Sequence, residues 1–323
     1  YYEKRYTRQY YGGNLYNDLL PEVLQGNSEM GLTELAYLFQ ARRRLDQAPA
    51  TTADDFARIN YFLGAYEKPA IALRYLEQYI GAERFDAAMQ AYYQQWQFKH
   101  PQPADFQQVL EAETQQNLGW LFDGLLYSNA RQDYEINGLQ KTDTGFRILI
   151  KNKGDMAGPF TLDGIVHGAV AYSQWFEGFT GEQVLEFPND GYERITLDAG
   201  RLTLDVNRRN NHIRPNGSTV KRPQLQLVPT PEVDTRNQVF VAPAMGWNNY
   251  DKYMLGLMLY NNTLPWKNLD FTLAPMYAFG SRDLVGLGEI SYSIYPKTRA
   301  IQAVTIGVGG RAFHYNRRAS PEY

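Results

Sequence analysis

The chain has 323 residues, with 32 lysines and arginines against 35 aspartates and glutamates for a formal net charge of -3. That length can bury two or three separate cores without disulfide or metal staples, and the charge balance offers nucleic acid no basic footprint. The absence of cysteine excludes disulfides, thiolate catalysis and cysteine-ligated zinc or iron-sulfur sites, and fits cytoplasm and periplasm alike.

The opening YYEKRYTRQYYGG carries no methionine, basic n-region or apolar h-region and reads as an internal start. No apolar run reaches the ~18 residues of a membrane-spanning helix, a test that short alternating barrel strands escape. Residues 1–132 have a helical pattern. Thr52 and Asp55 suggest a cap, after which Phe56, Ile59 and Leu63 share a face. In GAYEKPAIALRYLEQYIG (64–81), Leu73, Leu76 and Ile80 mark one face of a long helix. Pro69, lacking an amide hydrogen, belongs in a first turn, which places the helix start near Lys68 and leaves Tyr66 at its mouth. Phe85, Met89, Tyr92 and Trp96 line the next helix, and Asp105 with Gln108 opens a third after the breaker HPQP at 100–103.

Residues 133–214 switch to period two. FRILI (146–150), VLEF (184–187) and RITLD (194–198) predict short strands of a small antiparallel sandwich. The polar, turn-rich RRNNHIRPNGS (208–218) reads with the prolines after it as connecting chain, and 215–234 is taken as the linker. From 235 to 323 the alternation changes character. Leu269, Phe271, Leu273, Tyr277 and Phe279 share one face against Asp270, Thr272, Ala274, Met276 and Ala278. Ile290, Tyr292 and Ile294 alternate with serines, and Val304, Ile306 and Val308 with Thr305, Gly307 and Gly309. An apolar, aromatic face opposite a small, polar one suits barrel-type strands, while a soluble sheet with its apolar face packed on a core gives the same alternation. About five such strands are too few to close a barrel.

Chemistry-bearing motifs are scarce. His100, His167, His212 and His314 are too scattered for an H-E-x-x-H pair, and no nucleophile elbow, phosphate loop or dinucleotide fingerprint occurs. GVGGRA (307–312) lies in strand-like sequence, and DVNRRNN (205–211) lacks the spacing and glycine of a calcium loop and reads as a turn.

YFLGAYEKPAIALRYLEQYIGAERF from Tyr61, then YYQQWQFKHPQPADFQQVLE, then LGWLFDGLL, resembles, in order and spacing, the region downstream of the zinc motif in aminopeptidase N-type gluzincin metallopeptidases. The resemblance implies the helical part of a thermolysin-like catalytic domain and a small antiparallel β-sandwich and stops near residue 220; with the alternating tail the expectation is an α+β multidomain chain ending in antiparallel barrel-type strands. The resemblance also implies peptide-bond hydrolysis by zinc-activated water on a peptide substrate. Tyr66 matches the family's tyrosine that donates to the scissile carbonyl oxygen, and Tyr61 a second active-site tyrosine, for which a packed helix aromatic is an equal alternative. YYEKRY resembles the segment just after the zinc glutamate, so Glu3 is not a ligand. By this reading the zinc ligands lie upstream of Tyr1, and these residues alone are an inactive fragment. NKG (152–154) and QWFEG (174–178) resemble the family's small β domain. FVAPAMGWNNYDKYMLGLMLYNN and LAPMYAFGSRDLVGLGEISY resemble bacterial outer-membrane proteins, which implies a place in the cell envelope, at the outer membrane or periplasm. A degenerate, non-catalytic scaffold or binding protein at the outer membrane is the alternative. Neither oligomeric state nor substrate preference follows.

Overall fold

The computed structural model describes residues 1–11, 32–298 and 300–315. The described residues divide into two units: the first takes in 1–11, Ala36–Ala41 and Leu45–Val220, the second 32–35, Arg42–Arg44 and the described residues from Lys221 on. The architecture is mixed α+β, with sheets that are antiparallel apart from one strand pair.

The helices of the first unit are α1 (Tyr2–Tyr11), the last turns of α2 (Leu32–Ala41), α3 (Arg58–Phe62), α4 (Lys68–Ile80), α5 (Ala82–Trp96) and α6 (Pro103–Thr114), with π-helical turns at Leu63–Glu67 and Trp120–Leu126. Leu76 and Tyr75 of α4 are fully buried, as are Phe85 and Ala88 of α5; of the stripes read from sequence Leu76 and Phe85 lie in the core, while Leu73, Ile80, Met89, Tyr92 and Trp96 are half-buried. Gly81, at φ 89°, closes α4 in a backbone region that side chains rarely adopt. Two expectations shift. The cap of α6 is Gln102 rather than a pair built on Asp105 and Gln108: Asp105 is the third helical residue and accepts from the Gln102 amide at 2.7 Å. Thr52 precedes a single 3-10 turn, Ala53–Asp55, and makes no side-chain cap.

A three-stranded sheet ordered β1 (Tyr134–Lys141), β2 (Gly145–Asn152), β5 (Gly181–Pro188) faces a four-stranded one ordered β4 (Ala169–Phe176), β3 (Phe160–Val166), β6 (Arg194–Leu197), β7 (His212–Ile213). Ile148, Ile150, Phe160, Leu162 and Ile195 lie in their common core, which makes this the expected sandwich. The stretch 208–218, read as connecting chain, is partly built into it. Arg208 is buried and donates to Asp198 at 2.7 Å, and His212 and Ile213 form β7. Asp205 spends its oxygens on the Tyr134 and Asn207 amides at 3.1 and 2.8 Å, the turn reading rather than a calcium loop. Burial lifts that carboxyl to about 7, with Asp133 adding to the rise. Tyr75 fixes α4 to the sandwich, donating to the Pro159 carbonyl, with its ring 4.6 Å from Trp120 and 6.3 Å from Trp175.

The second unit is one six-stranded sheet, ordered β13 (Val304–Ala312), β12 (Asp283–Ile294), β11 (Leu269–Ala278), β10 (Lys252–Tyr260), β9 (Arg236–Asn248), β8 (Arg222–Gln226). The sheet is open: among the described residues β13 and β8 are its edges and no barrel closes. β8, inside the stretch taken as linker, pairs parallel to β9. The alternation read along β11–β13 is confirmed by register, since Phe271 lies opposite Ile290, and Ile290 opposite Val308. Its apolar face, however, is the exposed one. What is packed is the other side, where Met254, Met276, Ala278 and Val285 form a small cluster.

Candidate active site

Tyr66 does not stand ahead of a helix, as the proline suggested; it sits inside a π-helical turn that runs unbroken from α3 into α4. Pro69 offers no amide to the usual acceptor four residues back, and the wider turn absorbs that loss, with the Lys68 amide reaching the Leu63 carbonyl. Such single π turns inside helices are common at functional sites. Tyr66 on the turn is 57% exposed and Tyr61 of α3 45% exposed, their ring centroids 6.0 Å apart at 68°. Phe62 stacks on Tyr66 at 6.2 Å, and Phe56 meets Tyr61 edge-on at 5.9 Å. The neighbouring Tyr66 phenol raises the Tyr61 phenol above its ordinary value. Two accessible phenol hydroxyls side by side can donate to an oxyanion.

The same turn sends its next two side chains inward, and both are charged. Glu67 is 3% exposed and ion-pairs with Lys4 of α1. Lys68, 1% exposed, reaches Asp46 at 3.6 Å and donates to the Ser128 carbonyl at 3.2 Å. Asp46 is held in turn by Arg131 at 2.5 and 3.4 Å, whose Nε donates to the Ala41 carbonyl at 2.9 Å. α1 is fixed further by Arg5, bidentate on Asp86 at 2.5 and 2.9 Å, and by the Tyr1 hydroxyl on Glu77. Asn60 and Gln47 finish the scaffold. Asn60 donates to the Leu45 carbonyl at 2.6 Å and to Gln47 at 3.1 Å, while Gln47 accepts from the Ala57 amide at 2.8 Å. Gly64 is required by close approach, because a Cβ there would lie 2.6 Å from the Phe56 ring.

Tyr61 and Tyr66, named from sequence, are therefore brought together. Glu67, Lys68, Asp46, Arg131, Lys4 and Asn60 were missed. Lys4 is 63 residues from Glu67 and Asp46 is 85 from Arg131, so no local spacing signals either pair. The histidines stay apart: His100 is exposed, His167 lies 3.9 Å from Glu193, His212 is 3.1 Å from Thr196, and His314 is 2.8 Å from Asp251. Among the described residues no three histidine, cysteine, aspartate or glutamate side chains could hold a metal ion together. The zinc implied by the resemblance does not fit the residues present.

Burial, with Arg131 adding to it and Asp46 opposing, pushes the Lys68 amine down from 10.5 to about 8. Between about pH 8 and pH 10.5 the unfolded chain then holds a proton that the folded chain has released, so this residue's contribution to stability rises with pH across that window. Below it both states carry the charge, and the full cost of burying it stands. Urea midpoints followed from about pH 7.5 to 10 should climb more steeply in the wild type than in Lys68→Met; equal slopes refute the assignment.

Residues 40–125 match the Peptidase family M1 domain. The stretch similar to that family contains Tyr61, Tyr66 and the whole Asp46–Lys68 contact. Among solved structures, the aminopeptidase A of Legionella pneumophila in complex with aspartic acid is similar at 19% identity and a TM-score of 0.43, over 55% of this chain and 21% of that one. The chain thus spans about a fifth of that protein's length. Comparison with curated proteins finds no match.

Proposed function

We propose that the chain is part of a zinc metallopeptidase of aminopeptidase type, and that Tyr66 is its oxyanion donor. The observation that carries this is the π-helical turn within the matched stretch, which holds Tyr66 outward beside the exposed Tyr61 of α3 while Glu67 and Lys68 anchor it from beneath. A phenol held there can hydrogen-bond the charge that develops on a scissile carbonyl oxygen, an interaction that grows toward the transition state and so acts on kcat. Tyr61, in contact with that phenol, orients it. Polarisation of the carbonyl and acidification of the attacking water are the chemistry a metal would supply, held by residues other than those described. The substrate is a peptide. The alternation along β9–β13, with its apolar face outward, supports a working place in the bacterial cell envelope, at the outer membrane or periplasm.

Elemental analysis of the complete gene product, purified in detergent, tests the reading. One zinc per chain is expected, with none held by the 323 residues alone. A complete protein that takes up no zinc after loading would instead be the non-catalytic scaffold, a reading favoured so far only by the lack of a metal-binding cluster among the described residues.

A further inference from the structure

The five antiparallel strands β9–β13 sort their charges completely. Arg236, Lys252, Asp270, Asp283, Glu289 and Arg311 all fall on the face that carries the small Met276 and Ala278 cluster. The opposite face holds no charged residue on any of the five strands, yet it is open: Leu255 is 50% exposed, Leu257 54%, Ile290 46%, Ile306 71%. Trp247, Tyr253, Tyr277 and Phe279 gather at one end, with Trp247 opposite Tyr253 and the Phe279 amide donating to the Tyr253 carbonyl at 3.0 Å. The strands run 9 to 13 residues.

We infer that the uncharged face of β9–β13 is a lipid-facing surface, bedded against bilayer hydrocarbon with the Trp247–Phe279 aromatic row at the headgroup level. A protein partner of this breadth brings about one hydrogen bond per 100–200 Å² and a polar rim, whereas this face has no charge and, away from its aromatic end, only the Tyr292 hydroxyl and the Asn237 amide as side-chain donors on its strands. Strands of about 9–11 residues, apolar on one side and ending in aromatics, match the thickness of a bilayer. A soluble sheet of the same sequence buries its apolar side; this one shelters the small side. Unpaired sheet edges are not tolerated in hydrocarbon, so the outer edge of β13, unpaired among the described residues, has to find a strand before the face is fully immersed. The inference deepens the cell-envelope reading by naming the surface, and it rests on that reading only for the choice of membrane. Synthetic vesicles test the face; fractionation of cells tests the compartment.

The 323-residue chain is mixed with phosphatidylcholine vesicles whose acyl chains are brominated. Tryptophan fluorescence should be quenched, and much of that quenching should vanish in Trp247→Phe. Ile290→Arg should lower vesicle partition by about thirtyfold or more, whereas Ser291→Arg, one residue along the same strand and on the other face, should change it less than about threefold. Circular dichroism confirms that both variants keep their strands. Quenching independent of Trp247, equal losses from the two arginines, or a lipid-free dimer that ignores vesicles would each overturn the assignment, the last in favour of a second copy as the cover.

Discussion

Replacing Tyr66 with phenylalanine in the complete protein should lower kcat for a peptide substrate by about a hundredfold or more, the usual cost of one lost oxyanion donor. Tyr66 is more than half exposed on its turn and meets Tyr61 and Phe62 through its ring, so removing the hydroxyl leaves packing untouched and the unfolding midpoint within error. KM should move little, because the bond matters at the transition state rather than in the bound ground state. Tyr61→Phe removes an orienting contact instead of the donor and should cost less than about tenfold. A Tyr66→Phe enzyme with wild-type kcat would remove the proposed role.

Asp46→Ala should destabilise the first unit by about 3–5 kcal/mol in urea unfolding. The carboxylate is the shared counter-ion of two cations that are themselves buried, Lys68 and Arg131, and removing it strands both. Lys68→Met should cost much less, since the Asp46–Arg131 pair survives and the apolar side chain replaces a desolvated ammonium. A loss below about 1 kcal/mol for Asp46→Ala would mean that water reaches the cluster. In the complete protein the same substitution should also depress turnover, because Lys68 follows Tyr66 by two residues and its anchor fixes where that phenol points.

The sequence disclosed whatever its local periodicity encodes. The stripe Leu76 and Ile80, the strands FRILI and RITLD, and the two-faced β11 and β12 all follow from side chains within a few residues of one another. Pro69 points to a helix start near Lys68, where α4 does begin, but not to how the chain answers it: a π-helical turn joins α3 to α4 without a break and carries Tyr66 inside it. The struts beneath the tyrosine are invisible for a different reason. An ion pair between Lys4 and Glu67, or Arg131 and Asp46, depends on how elements meet in space, and charged residues in a sequence of average composition give no sign of being buried. Which face of β9–β13 lies outward was also undecidable from alternation, since both solutions share one period.

The reversed sheet leaves the two units standing on different ground. The sandwich draws its cohesion from a core shut away from water, and any aqueous buffer supplies the solvent it needs. Among its described residues the second unit buries a small cluster, Met254, Met276, Ala278 and Val285, with a few apolar side chains such as Phe240 besides, and leaves its broad apolar face open, so what counts as the inside of that face is decided by its surroundings. A single unfolding temperature therefore does not describe this molecule: one half has a stability of its own, and the other has a stability only relative to the medium in which it is placed.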